Sequence, residues 1–556
     1  MYFSIKKYLP VLFSSFSKNY FSQDFFHDLL SGILVGIVAI PMAIAFSIAS
    51  GVSPDQGIYT SIVAGFFIAV FGGSRFQISG PTGAFVVVIL SIVHQFGYSG
   101  LAIATIMAGF ILILMGLFRI GTLVKFMPRP VIIGFTTGIA LIIFSTQIGN
   151  LLGITIHPKS DSFFSIYKEY FSHISEINFY ALSISIFTML ITLLFPIINK
   201  KIPASLIGII GASLVFYFLH LPIDTIGSKF GSLPSTLPSI SFPHFNFNMA
   251  VTLLPSAFTI ALLGAVESLL SATVADGMSK TQHNSNIELI GQGIGNCISP
   301  LLLGIPATGG IVRTATNIRF GGKTPVVAVI HSLTILIVIY FFSKLLLFIP
   351  LAALAGILVI VSWNMSEIHA FKKTFKTTKI DVLVLISTFL FTVFTNLTTA
   401  IEIGLVISTL SVLYHVSNSS SFLIQKENEN NTSDFSKNQN IIVEWKGSLF
   451  FGSIDKFKEL YLNLSHSHLN IHVIFDMKNV LYIDATGIHE LENAYHEFQN
   501  KNIQLHFCNL KGKQPRKAIY QSHLSFLLKK ENIHEDMGKA EGFIAVRQDK
   551  LGVPCG

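Results

Sequence analysis

The sequence predicts a polytopic α-helical membrane protein of fourteen spans, followed by a small cytoplasmic α/β domain. Of its 556 residues, 51% are apolar and only 12% are charged, and the mean hydropathy is +0.64. A soluble chain of this composition would have too little polar surface. The apolar residues form segments long enough for full or partial crossings. Charged residues are concentrated after residue 420, which predicts a separate soluble domain.

Fourteen apolar segments follow one another before residue 418. They lie near residues 30–48, 57–73, 81–94, 100–120, 129–153, 178–198, 203–221, 251–272, 286–303, 308–317, 325–342, 345–362, 380–397 and 400–416. The third and the tenth are too short to cross about 30 Å of hydrocarbon as helices. We therefore expect an extended stretch, shielded by protein or by a water-filled cavity, to complete each of these two crossings.

The orientation follows from lysine and arginine. With the N-terminus inside, twelve of these residues fall in inner loops and four in outer loops. An even number of spans returns the C-terminus to the cytoplasm. Residues 1–29 hold Lys6, Lys7 and Lys18 without a cleavable signal pattern, which predicts a cytoplasmic N-terminal segment. We thus expect a multi-pass protein of the cell (inner) membrane, whose net charge of +8 reflects topology and requires no nucleic-acid partner.

The C-terminal part changes character after a transmembrane domain at 30–418. Residues 419–440 are rich in Ser, Asn, Glu and Lys and predict an exposed linker. Residues 441–556 then predict a domain of strands and helices packed in layers. The expected strands are 441–445, 448–451, 472–477 and 503–508, and the expected helices are 454–464, 487–500 and 514–522.

Two apolar stretches, 77–89 and 304–318, are each broken by a cluster of Gly and Pro. Interrupted segments in corresponding halves of a membrane protein are typical of a transporter whose inverted repeats meet at a midplane site. The second stretch carries Arg313, and a cation at this depth costs about 2.5–3.5 kcal/mol on insertion scales. The pattern therefore predicts an anion site.

The residues of the two clusters suggest how an anion would be held. If Gly80–Pro81 and Gly309–Gly310 precede helices, two sets of free N–H groups and two positive dipole ends meet. Hydroxyl groups and a guanidinium would replace the water of the anion. The candidate anion-binding residues are Ser79, Gly80, Thr82, Thr308, Gly309, Gly310 and Arg313. Two alternatives remain open: the glycines serve helix packing alone, or Arg313 is a structural or gating charge.

Glu267 is a carboxylate flanked by ALLGAV and SLLSATV. Apolar surroundings disfavour its ionised form, which predicts that it takes up a proton. A proton taken up beside the anion site would remove repulsion as substrate arrives, so that proton and anion binding are coupled reciprocally. The alternative is that Glu267 is a fixed partner of Arg313.

The chain resembles the SulP (sulfate permease) family of anion transporters, and its tail resembles a STAS domain. The matching stretches are IPMAIAFSIASGVSP (40–54), GIYTSIVAGF (57–66), GGSRFQISGPTGAF (72–85), ESLLSATVADGMSKTQHNSNIELIGQGIGN (267–296), GIPATGGIVRTATNIRFGGKTP (304–325), SLFFGSIDKF (448–457) and DATGI (484–488). The resemblance implies a seven-plus-seven inverted repeat with core and gate domains, elevator-like alternating access, and a homodimer.

The resemblance also bears on coupling and substrate. In related proteins, an acidic residue and a hydroxyl one turn later, here Glu267 and Ser271, contribute to a sodium site in some members and are linked to protons in others. Glutamate in place of the aspartate of a sodium-coupled bicarbonate carrier favours H+ over Na+. Met42 replaces the glutamine of many relatives, and Val312 and Thr314 replace serines of animal members, so the anion preference does not transfer directly. Sulfate is the first choice on family grounds, with bicarbonate, chloride and dicarboxylate open.

The DATGI stretch resembles the STAS segment that carries a phosphorylatable hydroxyl in bacterial anti-sigma antagonists, and Thr486 occupies that position. A phosphate at a helix start would be favoured by the helix dipole and would alter docking to a cytosolic partner. Capping of the helix by Asp484 and Thr486 is the commoner use of such residues. We therefore expect a regulatory domain.

Three functional classes are compatible with the sequence. A secondary anion transporter, by proton symport, sodium coupling or exchange, is favoured; a passive anion channel would not need Glu267 for coupling. A membrane-tethered signalling protein would not need charged, broken spans. No Cys, His and carboxylate cluster has metal-ligand spacing, so we expect no enzyme activity and no cofactor.

Overall fold

The computed structural model describes residues 9–15, 20–122, 128–154, 163–199, 202–243, 246–395, 397–426, 441–465, 472–528 and 530–550. The chain divides into two compact units, Met1–Val406 and Ile407–Gly556.

The first unit is helical, with two very short strands. Its helices are α1 (Val11–Ser15), α2 (Tyr20–Gln23), α3 (Phe25–Ala49), α4 (Pro54–Phe71), α5 (Gly83–Leu117), α6 (Arg129–Leu152), α7 (Phe163–Ser172), α8 (Phe179–Ile198), α9 (Ala204–Leu219), α10 (Ile226–Phe230), α11 (Phe247–Ser279), α12 (Ser285–Ile298), α13 (Ile311–Arg319), α14 (Val326–Leu346), α15 (Leu351–Met365), α16 (Ile368–Thr374), α17 (Lys379–Phe394) and the first part of α18 (Leu397–Ser419). The strands β1 (Ser79–Gly80) and β2 (Thr308–Gly309) directly precede α5 and α13. Within the described residues, eight stretches of helix are long and apolar enough to cross a membrane.

Each of the fourteen predicted segments overlaps a helix. The third and fourth share α5, which is interrupted at Gly97, where φ is 65°. Only glycine adopts this left-handed conformation at little cost, so the two spans are separated by a single residue. Prolines stand at the starts of α4, α6, α9 and α15, where a missing N–H costs no hydrogen bond.

The order of elements repeats between the halves of the first unit. In each half, two helices come first, α3 and α4 or α11 and α12. A short strand, the helix that directly follows it in the chain, and several further helices come next. Contacts gather α3, α4, α5, α11, α12, α13 and α14 into one group of helices, and α6, α8, α9, α15 and α17 into another. The two groups correspond to the core and gate domains of the predicted inverted repeat.

Glycines let α5 and α12 pack closely in the first group. A Cβ on Gly109 would lie 2.7 Å from the carbonyl oxygen of Gly293, and a Cβ on Gly293 would lie 2.5 Å from that of Gly109. Side chains at these two positions would force the helices apart. Small-residue contacts of this kind are typical of membrane helices.

The second unit is an α/β domain after the end of α18. Its elements are β3 (Ser421–Lys426), β4 (Ile441–Leu449), α19 (Ile454–Ser465), β5 (His472–Ile483), α20 (Ala485–Asn500), β6 (Gln504–Cys508), α21 (Lys513–Gln521), α22 (Leu524–Leu527), β7 (Ile533–His534) and α23 (Met537–Lys550). The strand order is β3-β4-β5-β6-β7, and only the edge pair β3–β4 is antiparallel within the described sheet.

Two sequence expectations for this unit need correction. Residues 448–451 do not form a separate strand, because β4 continues to Leu449 through register shifts at 444–446 and 447–449. The expected linker at 419–440 contains β3, whose FLI run gains hydrogen bonds by pairing with β4. The rest of that stretch, 427–440, lies outside the described residues. Apolar side chains from the sheet, α19 and α20 form the core, among them Trp445, Phe457, Phe475 and Phe498.

Candidate functional site

The two broken segments meet at a short antiparallel pairing of β1 with β2. Ser79 pairs with Gly309 and Gly80 pairs with Thr308. The Gly310 N–H extends the pairing by donating to the Ile78 carbonyl at 3.0 Å. We call this β1–β2 pairing the crossing. The helices α5 and α13 begin within three residues of it, so their first-turn N–H groups and positive dipole ends lie together.

Arg313 lies in the first turn of α13 with only 5% of its surface exposed. Its Nη2 donates to the Pro81 carbonyl oxygen at 2.5 Å, across the crossing. Arg313 and Glu267, both of which the structure describes, are not joined by an ion pair within 4.0 Å. The guanidinium is therefore anchored by backbone, and the carboxylate does not neutralise it by direct contact.

Two glycines are required by the position of this guanidinium. A Cβ on Gly310 would lie 2.8 Å from Arg313 Nε, and a Cβ on Gly80 would overlap Arg313 Nη1. The absence of side chains at both positions lets the cation lie directly against the backbone of the crossing. The third predicted glycine, Gly309, faces the other way, where a Cβ would overlap the side chain of Gln77.

Glu267 and the predicted hydroxyls lie around the crossing. Thr82, the residue before α5, donates from Oγ1 to Glu267 Oε2 at 2.9 Å. Thr308 Oγ1 donates to the Gly264 carbonyl at 3.2 Å and lies 2.6 Å from Ser268 Oγ. The structure thus places α11 against both broken segments at once.

Ser271 lies one turn beyond Glu267 on α11, and it contacts α13. Its Oγ donates to Thr314 Oγ1 at 3.1 Å, and the same Thr314 oxygen accepts from the Ile78 N–H at 3.1 Å. Ser271 therefore connects α11 to both broken segments. Within the described residues, no group of three or more His, Cys, Asp or Glu is arranged to hold a metal ion.

A row of polar residues on α12 was not predicted from the sequence. Glu288, Gln292 and Asn296 are almost fully buried and follow one another at intervals of four, so they share one helix face. Glu288 Oε2 accepts from the N–H groups of Gly73 and Ser74, both at 2.9 Å. This carboxylate fixes the chain that leads into β1. Polar residues at a spacing of four in an apolar helix were the signal that could have found the row.

The other two members of the row bind the crossing itself. Gln292 Nε2 donates to Ser79 Oγ at 3.1 Å and to Glu288 Oε1 at 2.9 Å. Asn296 donates to the Ala307 carbonyl and accepts from the Ala307 N–H, both at 2.8 Å. One helix therefore holds both broken segments in place. The Ser79 hydroxyl faces this helix.

Thr486 lies in the second unit, in the first turn of α20, with an exposed side chain. Asp484 is the cap of the helix: its Oδ1 accepts from the Gly487 N–H at 2.7 Å and its Oδ2 from the Phe451 N–H at 3.1 Å. The capping role therefore falls to Asp484, and Thr486 is exposed.

A many-helix membrane domain with two crossing broken segments, followed by an α/β domain, defines a multi-pass membrane transporter with a soluble C-terminal domain. The model of the sulfate permease family matches residues 25–388, and that of the STAS domain matches residues 433–540. The chain belongs to the sulfate permease family. This family consists of transporters, which confirms that the chain is not an enzyme.

Known proteins resemble the chain over almost its whole length. A candidate sulfate transporter of Bacillus subtilis (strain 168), YvdB, is 37% identical over 534 residues, which cover 95% of this chain and 100% of the relative. The bicarbonate transporter BicA of Picosynechococcus is 28% identical over 511 residues, which cover 88% of this chain and 89% of BicA. Murine Slc26a9, an anion transporter solved in the inward-facing state, has the same fold, with a TM-score of 0.87 at 17% identity over 98% and 95% of the two chains.

These findings confirm the predicted family, the helical membrane fold and the STAS domain. They also show that the chain is an anion transporter of a multi-pass membrane family.

Proposed function

We propose that this chain is a secondary active transporter of inorganic oxyanions, with sulfate as its first substrate and proton uptake as its driving reaction. The anion binds between the N-termini of α5 and α13. The core domain carries it by an elevator-like movement against the gate domain. One observation carries the proposal: the β1–β2 pairing brings two helix starts together beside the buried Arg313.

The chemistry of this crossing fits an oxyanion. First-turn N–H groups and a guanidinium are the donors that replace water around sulfate or bicarbonate. Buried cations in membrane segments attract anionic cargo because little solvent screens them. YvdB supports sulfate as the first anion to test, and BicA makes bicarbonate the second.

Glu267 is the proposed coupling residue, and Ser271, one turn further along α11, contributes to the same site. The carboxylate lies on the helix that contacts both broken segments and accepts a hydrogen bond from Thr82, beside the start of α5. Its protonation would remove negative charge next to the arriving anion, which links the two binding events. The alternative is that the carboxylate and hydroxyl oxygens of these two residues bind sodium.

The remaining assignments follow from the proposed transport cycle and the predicted topology. Residues 30–418 form the transport domain, and both termini and the STAS domain at 441–556 are cytoplasmic at the inner membrane. The protein acts as a homodimer. Phosphorylation of the exposed Thr486 would place charge at the start of α20 and alter binding of a cytosolic partner.

The test is radiolabelled sulfate and bicarbonate uptake into proteoliposomes under imposed proton, sodium or counter-anion gradients. We expect sulfate accumulation driven by an inward proton gradient in the wild type, and loss of this drive in Glu267→Gln. Asp276→Asn, a change of another carboxylate on α11, is the matched control and should leave the drive intact. Normal proton-driven accumulation in Glu267→Gln would refute the coupling role.

A further inference from the structure

The hydroxyl groups around the crossing differ in where their protons go. Thr308 donates to the Gly264 carbonyl, and Ser271 donates to Thr314. The Thr308 hydroxyl also lies 2.6 Å from Ser268 Oγ, and none of the partners of these two hydroxyls is a carboxylate that titrates. A change in the protonation of Glu267 therefore leaves the partners of these two hydroxyls as they are.

Thr82 is different because its partner is titratable. It occupies the position before α5 that commonly caps a helix, yet its side chain caps no N–H group there. Its Oγ1 donates to Glu267 Oε2 at 2.9 Å. An ionised carboxylate has no proton to give, so Thr82 must be the donor in this state. A threonine hydroxyl has one proton, and this contact uses it.

We infer that Thr82 transmits the protonation state of Glu267 to the anion. When Glu267 takes up a proton at Oε2, the new O–H donates to Thr82 Oγ1, and the bond between the two residues reverses direction. The Thr82 proton is then released toward the start of α5, where it donates to an oxygen of the anion. One hydrogen bond joins the two residues in either state, and the site gains one donor for each proton bound.

This inference rests on the proposed coupling through Glu267, and the surroundings of the carboxylate support it. The elements packed against α11 are α5, α12, α13 and β2. Among the described residues of these elements, Arg313 is the charged group that acts electrostatically on Glu267. The others are His94 and Tyr98 on α5, Glu288 and Cys297 on α12, and Arg319 on α13. Glu288 is held by Gly73 and Ser74.

The test compares the Michaelis constant (KM) for sulfate and bicarbonate uptake at pH 6 and pH 8 in proteoliposomes. The variants are Thr82→Val, which keeps the shape but removes the hydroxyl, and Thr82→Ser, which restores it. Thr105→Val is the control, because Thr105 is a buried hydroxyl of α5 that donates to the Leu101 carbonyl. We expect the wild-type KM to fall on acidification. Thr82→Val should raise KM at pH 6 about tenfold, the effect of one lost bond to a charged group.

Thr82→Ser should restore the wild-type dependence of KM on pH, and Thr105→Val should leave that dependence unchanged. A Thr82→Val protein whose KM keeps the wild-type dependence on pH would overturn the inference. Glu267→Gln provides a second test that does not depend on the folding of Thr82→Val, because its amide carries an N–H donor for Thr82 Oγ1 at every pH. Its KM at pH 8 should equal the wild-type KM at pH 6, and a KM at the wild-type pH 8 level would overturn the inference.

The two proposals fail in different ways. Glu267→Gln with a wild-type response to pH, or a wild type that transports neither anion, refutes the proposed coupling and this inference with it. Loss of the pH response in Glu267→Gln together with its full retention in Thr82→Val refutes the role of Thr82 alone.

Discussion

Arg313 in one half of the chain donates a 2.5 Å hydrogen bond to the carbonyl oxygen of Pro81 in the other half. The cation of the second broken segment is thereby fixed by the backbone of the first. A guanidinium has five N–H donors, and this bond uses one of them. The geometry couples the position of the charge to the integrity of the crossing, so a change on either segment should affect the anion.

Arg313→Ala should raise the KM for the transported anion by at least about tenfold, because hydrogen bonds to charged groups contribute roughly 1.5–3 kcal/mol. Arg313→Lys should recover part of the loss, since it restores the charge without the planar fork. The dependence of uptake on anion concentration in proteoliposomes measures both. Arg319→Ala, an exposed arginine on the same helix, is the control. An unchanged KM in Arg313→Ala would assign Arg313 a purely structural role.

Gly80→Ala should abolish transport, because its Cβ would overlap the Arg313 guanidinium. The control is Gly277→Ala on α11, where a Cβ would meet nothing within 4 Å and where alanine favours the helix by about 1 kcal/mol. Uptake and gel filtration of the two proteins make the comparison. Wild-type uptake by a folded Gly80→Ala protein would show that Arg313 can move without loss of function.

The sequence indicated the broken segments, Arg313 and Glu267 because their signals are local. A Gly and Pro cluster, or a charge, in an apolar stretch can be recognised without knowing its partner. The row on α12 was missed because its meaning depends on distant contacts: Glu288 binds Gly73 across 215 positions of the chain. The direction of the Ser79 side chain, toward Gln292, depends on the β1–β2 register, which no local pattern specifies.

The same limit explains the differences in the second unit. The strand β3 lies in a stretch whose composition is typical of a linker, and it is stabilised by pairing with β4. Because β3 is an edge strand, it pairs with one neighbour only, and a short apolar run is sufficient to form it. The helix–strand alternation from 441 onward was predictable because burial gives it a clear period.

Gln292→Leu should destabilise the first unit by about 1–3 kcal/mol and reduce uptake, since it leaves one carboxylate oxygen of Glu288 buried without its donor. It also releases Ser79 from α12. The apparent melting temperature in detergent and the rate of uptake are the two measurements. Cys297→Ser on the same helix should change both much less. A Gln292→Leu protein as stable and as active as the wild type would show that the row does not position the crossing.

Acid should loosen the C-terminal end of the STAS domain. His472 Nδ1 lies 3.1 Å from His506 Nε2, and His506 Nδ1 lies 3.2 Å from His534 Nε2, across β5, β6 and β7. Burial lowers the pKa of His534 below its ordinary value of 6.5, and Asp536 partly opposes this effect. The folded domain therefore binds this proton less well than the unfolded chain does. The resulting stability is present above pH 6.5 and is lost as the pH falls below it.

Hydrogen exchange of the full-length protein measures this loosening. After correction for intrinsic rates, residues 533–550 should exchange faster at pH 5.5 than at pH 7.5, because β7 is held to β6 by only two paired residues. His534→Asn removes the titrating ring and should reduce the difference. His523→Asn changes an exposed histidine and should leave the difference unchanged. Equal protection of β7 and α23 at both pH values in the wild type would contradict the prediction, because a neutral His534 would then add nothing to the stability of this edge.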